Sequence, residues 1–155
     1  MSKTALYEGL QVQIRRLIEG ERDPYANAAN LSALLWETLP DVSWVGFYFR
    51  KGRTLVLGPF QGKPACSRLQ VGRGVCGTAA EKAATLIVPD VHKFDGHVAC
   101  DATSNSELVV PLMKYDTVIG VIDLDSHSFD RFDQDDATGI EALAKFWVLT
   151  SADIP

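Results

Sequence analysis

Three cysteines and a few carboxylates are the residues of this 155-residue chain whose type and spacing could do chemistry. The cysteines are Cys66, Cys76 and Cys100, and no two form a C-x-x-C pair. Cys100 stands in His97-Val98-Ala99-Cys100-Asp101, inside the aperiodic polar stretch 92–106. A loop cysteine is a better nucleophile than one buried in a helix or strand. Asp101 disfavours its thiolate, and a protonated His97 would oppose that effect. Asp123 and Asp125 lie two apart in Val121-Ile122-Asp123-Leu124-Asp125. On a strand they project from the same face, where acids are uncommon. Two carboxylates sharing a face raise each other's pKa and either hold a cation or donate a proton. Glu107, first residue of a neighbouring strand, could stand beside them. The same spacing also fits strand-end residues exposed to water.

Two other patterns carry less. Gly72-Arg73-Gly74-Val75-Cys76-Gly77 matches G-x-G-x-x-G, with Asp90 downstream as a ribose partner. The residues before it, 66–71, make a poor buried strand, and the repeated strand–helix halves of a dinucleotide fold are missing. We read it as a glycine-rich turn capping a helix. His97 and Cys100 are three apart, and His92 and His127 could join them. Zinc sites bring closely spaced pairs from both halves, and only one pair is present, so we expect no metal and no bound cofactor.

The elements that must position these residues alternate between helical and strand periods. Leu6, Leu10, Ile14 and Leu17 predict an amphipathic helix over 3–19. Asp23-Pro24 opens a second helix carrying Leu31, Leu34 and Leu35 until Pro40 ends it. From Trp44 to Arg50 the period becomes two, with Val45, Phe47 and Phe49 on one face and Trp44, Gly46 and Tyr48 on the other. Lys51-Gly52 turns into a strand at 54–57, and 58–74 reads as loop with short extended pieces. A short helix over 79–84, strands at 85–88, 107–113 and 117–125, and a last helix capped by Asp133 complete the chain. The order is not steady strand–helix alternation, so the expected fold class is α+β, an antiparallel sheet flanked by helices, in one domain over 1–155.

Composition narrows the function classes. The chain is 46% hydrophobic and 23% charged, an ordinary globular balance. Fifteen basic residues against 20 acidic ones give a net charge of -5, which argues against DNA or RNA as a partner. No apolar run approaches the roughly 20 residues that cross a bilayer, so no membrane partner is expected. An odd cysteine count and a first decade without an apolar core region point to the cytoplasm.

Together these residues resemble the free methionine-R-sulfoxide reductases, a catalytic branch of the GAF-domain fold. The resemblance spans nearly the whole chain. It rests on Asn30–Trp36, Trp44-Val45-Gly46-Phe47-Tyr48, Gly58–Gly62, Gly72–Gly77, His97–Asp101, Ser106–Pro111, Gly120–Ser126 and the three cysteines. It implies that Cys100 attacks the sulfur of free L-methionine-(R)-S-oxide. Glu107, Asp123 and Asp125 then form an acidic pocket, with Glu107 and Asp125 assisting catalysis and Asp123 holding the substrate ammonium. Trp44 and Tyr48 wall the substrate methyl group. A second thiol, Cys66 or Cys76, resolves the sulfenic acid to a disulfide that a thioredoxin-type dithiol reduces. Homodimerisation also follows from the resemblance. Of the two resolving candidates we favour Cys66, whose loop-like segment can move to within the roughly 7 Å that a disulfide demands. A non-catalytic GAF module that binds a small molecule is the alternative. A peroxidase would use the same thiols without needing clustered carboxylates.

Overall fold

The computed structural model describes residues 1–155. Helix α1 (Lys3–Leu17) is capped by the Ser2 side chain, and α2 (Pro24–Thr38) by Asp23, which accepts from Tyr25 and Ala26. Strands β1 (Trp44–Lys51), β2 (Thr54–Gly62) and β3 (Arg68–Gln70) follow, then α3 (Gly74–Lys82) and β4 (Leu86–Val88). A 3-10 turn at Val91–Lys93 leads to β5 (Ser106–Lys114), β6 (Thr117–Ser126) and α4 (Gln134–Thr150). All strands pair antiparallel in the order β3-β2-β1-β6-β5-β4. The expected α+β class is the one observed. No helix is long and apolar enough to cross a membrane.

The period-two alternation of β1 sorts the molecule into two cores. Val45, Phe47 and Phe49 face α1, α2 and α4, and Trp147 of α4 lies 5.2 Å from Phe47 and 5.7 Å from Phe49 between ring centroids. Trp44 and Tyr48 face the other way with Val109 and Val121, against α3 and the loops. The helical side is pinned by Asp136, which accepts from Tyr7 Oη at 2.8 Å, Lys3 Nζ at 2.7 Å and Arg131 Nη1 at 3.3 Å. That buried carboxylate ties α1 to the start of α4 and leaves the opposite sheet face to build the site.

The structure departs from the sequence reading in the middle of the chain. In 58–74, expected as loop with short extended pieces, β2 runs on past the expected 57 to Gly62, and β3 is one such short piece. Pro59 is tolerated there because the β1–β2 register slips between Gly46 and Tyr48, and a bulge needs no donor from it. Helix α3 starts at Gly74, five residues before the expected 79. Glycine propensity weighs against a helix there, but packing wins. A Cβ on Gly77 would sit 2.2 Å from the Gln70 carbonyl oxygen, so only glycine lets the helix approach β3. The β5–β6 turn at Tyr115 and Asp116 has both residues at positive φ, 49° and 63°, the mirror-image turn that suits a tight hairpin.

Candidate active site

The register of three adjacent strands assembles the carboxylates. Asp125 on β6 stands opposite Glu107 on β5 and opposite Trp44 on β1, while Asp123 stands opposite Val109 and Gly46. Glu107 and Asp123 are each 6% exposed and Asp125 is half-buried, which sets aside the solvated strand-end reading. Burial lifts all three carboxyls above their ordinary range, Glu107 and Asp125 strongly. The charge of Asp123 pushes both of those higher still. Burial likewise pushes the Cys76 thiol well up, with the same acids adding to it. The pocket floor therefore favours the protonated forms of Glu107, Asp125 and Cys76 beside Asp123.

An aromatic wall rises beside this floor. Trp44 stacks on Phe60 at 5.3 Å and faces Tyr48 at 6.0 Å. Gly46 makes that stack possible, since a Cβ there would meet Phe60 Cβ at 2.3 Å. Both aromatics also donate to the loop that carries Cys66. Trp44 Nε1 bonds the Lys63 carbonyl at 3.1 Å, and Tyr48 Oη bonds the Cys66 carbonyl at 2.9 Å. The wall thus fixes the backbone on which one thiol rides.

The thiols close the pocket from above. Cys66 and Cys100 are joined as a disulfide with Cα atoms 5.5 Å apart, and Cys76 is free and buried. Cys76 Sγ lies 3.8 Å from Glu107 Oε2, on the first half of α3. The Cys100 loop is tied down by Asp101, whose Oδ1 accepts from Thr103 N at 2.9 Å and Thr103 Oγ1 at 2.6 Å. Those bonds hold the Asp101 carboxyl below its usual value, so it stays ionised beside Cys100. Thr103 Oγ1 in turn lies 3.0 Å from His127 Nε2, and Asn105 Nδ2 donates to the His127 carbonyl at 2.6 Å.

Seven of the eight residues singled out from the sequence line this one pocket: Trp44, Tyr48, Cys76, Cys100, Glu107, Asp123 and Asp125. Cys66 reaches it through the disulfide. The conditional help from a protonated His97 is disfavoured by its surroundings. His97 does line the pocket, but burial pushes its pKa down, with His92 adding to the effect, so the imidazole is neutral near pH 7. Lys63 and Arg73 bring cationic side chains to the lining, and Lys63 also acts on Asp101. Sequence reasoning missed Lys63, Arg73 and Ser104 as lining residues. Arg73 lay inside the glycine motif, while Lys63 and Ser104 carried no signal. The histidines do not converge, because His92 bonds Asn105 and His127 bonds Thr103.

Comparison with known proteins matches this geometry to a family. The GAF domain profile matches residues 29–146. A free methionine-R-sulfoxide reductase of Escherichia coli is 52% identical over 143 residues, covering 92% of this chain and 87% of that protein. One of Saccharomyces cerevisiae is 42% identical over 153 residues, covering 94% and 85%. The solved structure of the Neisseria meningitidis free methionine-R-sulfoxide reductase in complex with its substrate superposes with a TM-score of 0.93 at 43% identity, covering 97% of this chain and 90% of that one.

Proposed function

The chain belongs to the GAF domain family, among the free methionine-R-sulfoxide reductases, and from that membership we propose that it reduces free L-methionine-(R)-S-oxide through Cys100. One observation carries the reading: the Cys66–Cys100 bond stands over a pocket lined by Glu107, Asp123 and Asp125, whose carboxyls burial pushes upward, and by the Trp44 indole. A sulfoxide sulfur accepts a nucleophile only when its oxygen is protonated, since oxide is too poor a leaving group. In the reduced enzyme the Cys100 thiolate attacks that sulfur while Glu107 or Asp125 gives the oxygen a proton. The attack forms a Cys100–substrate S–S bond as the protonated oxygen leaves as water. Water then adds to Cys100 Sγ, the S–S bond breaks with its electron pair leaving on methionine, and Cys100 is left as a sulfenic acid. The Cys66 thiol then condenses with the sulfenic acid, releasing water and forming the disulfide.

A thioredoxin-type dithiol returns both thiols by exchange, so the sulfoxide and the dithiol yield methionine, water and a carrier disulfide. Asp123 holds the substrate ammonium, and Trp44 with Tyr48 bounds the methyl group. Homodimerisation, thioredoxin partnership and a cytoplasmic setting belong to the same reading and rest on the family likeness and the redox chemistry. The test is NADPH consumption with thioredoxin and its reductase on the free R-sulfoxide. Consumption is expected. Turnover on peroxide alone would favour a peroxidase, and none on either substrate would favour a GAF module that binds without chemistry.

A further inference from the structure

We propose that Cys76, Glu107 and Asp123 form a binding site for one thiophilic divalent cation, Zn²⁺ or Cd²⁺. One ligand atom from each residue lies within 4.8 Å of the others. Two atoms bonded tetrahedrally to one zinc, sulfur at 2.3 Å and oxygen near 2.1 Å, stand about 3.6 Å apart. The Cys76 Sγ to Glu107 Oε2 separation is 3.8 Å, close to that edge. A second observation is independent of the spacing. Asp123 Oδ1 is buried on a residue only 6% exposed and accepts from no backbone, amide or cationic donor, which leaves only the acidic protons of Glu107 and Cys76, those a cation would displace, to pair that side chain. A buried acceptor left unpaired costs about 1–3 kcal/mol, and a cation would satisfy it.

The three ligands come from α3, β5 and β6, elements already locked by packing. They are far apart in sequence, which is why a search for paired His and Cys spacings passes over them. The donor set selects the ion. A thiolate with two carboxylates suits zinc and cadmium, whereas Mg²⁺ and Ca²⁺ prefer all-oxygen shells. Beside the ligands lies a cavity of about 50 Å³. That is room for a few waters, so the fourth position can hold solvent. The site is intact in the disulfide-closed enzyme, where Cys76 is the free cysteine. Competition between the ion and the substrate for the same carboxylates follows only if the reductase reading holds.

The experiment uses the full chain oxidised to the Cys66–Cys100 disulfide and stripped of metal, titrated with cadmium chloride. The readouts are the ultraviolet thiolate-to-cadmium charge-transfer band and the stoichiometry by calorimetry. One equivalent with a thiolate band is expected, unaffected by a large excess of Mg²⁺. Cys76→Ser should abolish the band. Glu107→Gln and Asp123→Asn should weaken binding by more than the roughly 10–100-fold that loss of an outer-shell partner brings. Far-ultraviolet circular dichroism checks that each variant is folded. Three results would each overturn the site: no band in folded wild-type protein, equal affinity in both carboxylate variants, or undiminished binding in Cys76→Ser. In a Cys66→Ser/Cys100→Ser double variant, which keeps Cys76 as its one thiol and leaves the pocket open, adding free methionine sulfoxide should shift the titration to higher cadmium. Binding without that shift would count against the substrate pocket and leave the ion site standing, so the two failures are distinguishable.

Discussion

Replacing Glu107 by glutamine removes one buried carboxyl and keeps its shape, and it should move activity and stability in opposite directions. Glu107 is 6% exposed, faces Asp125 across β5–β6 and holds its proton well above the ordinary glutamate range. The unfolded chain loses that proton near pH 4.3. Between there and the raised native value the folded state binds more protons than the unfolded state, so stability falls as pH rises. Each proton so retained costs about 1.4 kcal/mol per pH unit across that window. Glutamine cannot ionise, so the penalty of retaining that proton disappears from the variant. Urea unfolding across the pH range should therefore show a flatter decline for Glu107→Gln than for wild type, with the variant gaining most at mildly alkaline pH. Turnover should fall about 10²–10⁴-fold, the range for lost general-acid assistance, or about 2.7–5.5 kcal/mol of barrier. Wild-type kcat itself should decline as pH rises through the raised carboxyl range, since the protonated form is the useful one. A variant with near-wild-type kcat and pH profile would refute the acidic role. A variant as pH-sensitive in stability as wild type would refute the buried-proton argument.

Cys100→Ser should abolish both steady-state turnover and single-turnover methionine release, because an alkoxide there is too basic to form; one equivalent of methionine per enzyme would move the nucleophile to Cys76. Cys66→Ser should keep single-turnover release, measured by amino-acid analysis after quenching, while losing most thioredoxin-dependent recycling. Cys76→Ser should disturb recycling less. Gly77→Ala should destabilise the fold by about 1–3 kcal/mol in urea unfolding, because its Cβ would fall 2.2 Å from the Gln70 carbonyl oxygen. An unchanged midpoint would show that α3 can shift away from β3.

The parts of the fold legible in advance were those where burial writes a period into the residues. Val45, Phe47 and Phe49 alternate with Trp44, Gly46 and Tyr48, and the two sets enter two separate cores. Asp123 and Asp125 could be placed on one face for the same reason. What escaped was set by contacts between distant segments. Strand β3 is three residues, two of them exposed, and exists because it pairs with Thr54–Val56. Helix α3 begins among glycines because Gly77 must pass close to Gln70. The neutrality of His97 depends on burial by a loop with no period to read. Local propensity speaks to none of these.

The division of labour between sheet and loop follows from what the proposed chemistry needs. Carboxyls that must keep a proton at neutral pH need a dry site that does not rearrange, and adjacent central strands β5 and β6 supply it through a nine-pair register. A sulfur that must meet first a substrate and then a second thiol needs a carrier with few regular bonds, and Cys100 rides on the irregular segment between Lys93 and Ser106. Its partner Cys66 sits between β2 and β3, where the carbonyls of Lys63, Cys66 and Ser67 accept from Trp44, Tyr48 and Leu57. The residues proposed to wall the substrate are thus also those that set the height of the resolving thiol. On the proposed mechanism, shortening either aromatic should therefore alter substrate fit and disulfide closure together, read as a raised KM and slower thioredoxin-dependent recycling in the same variant.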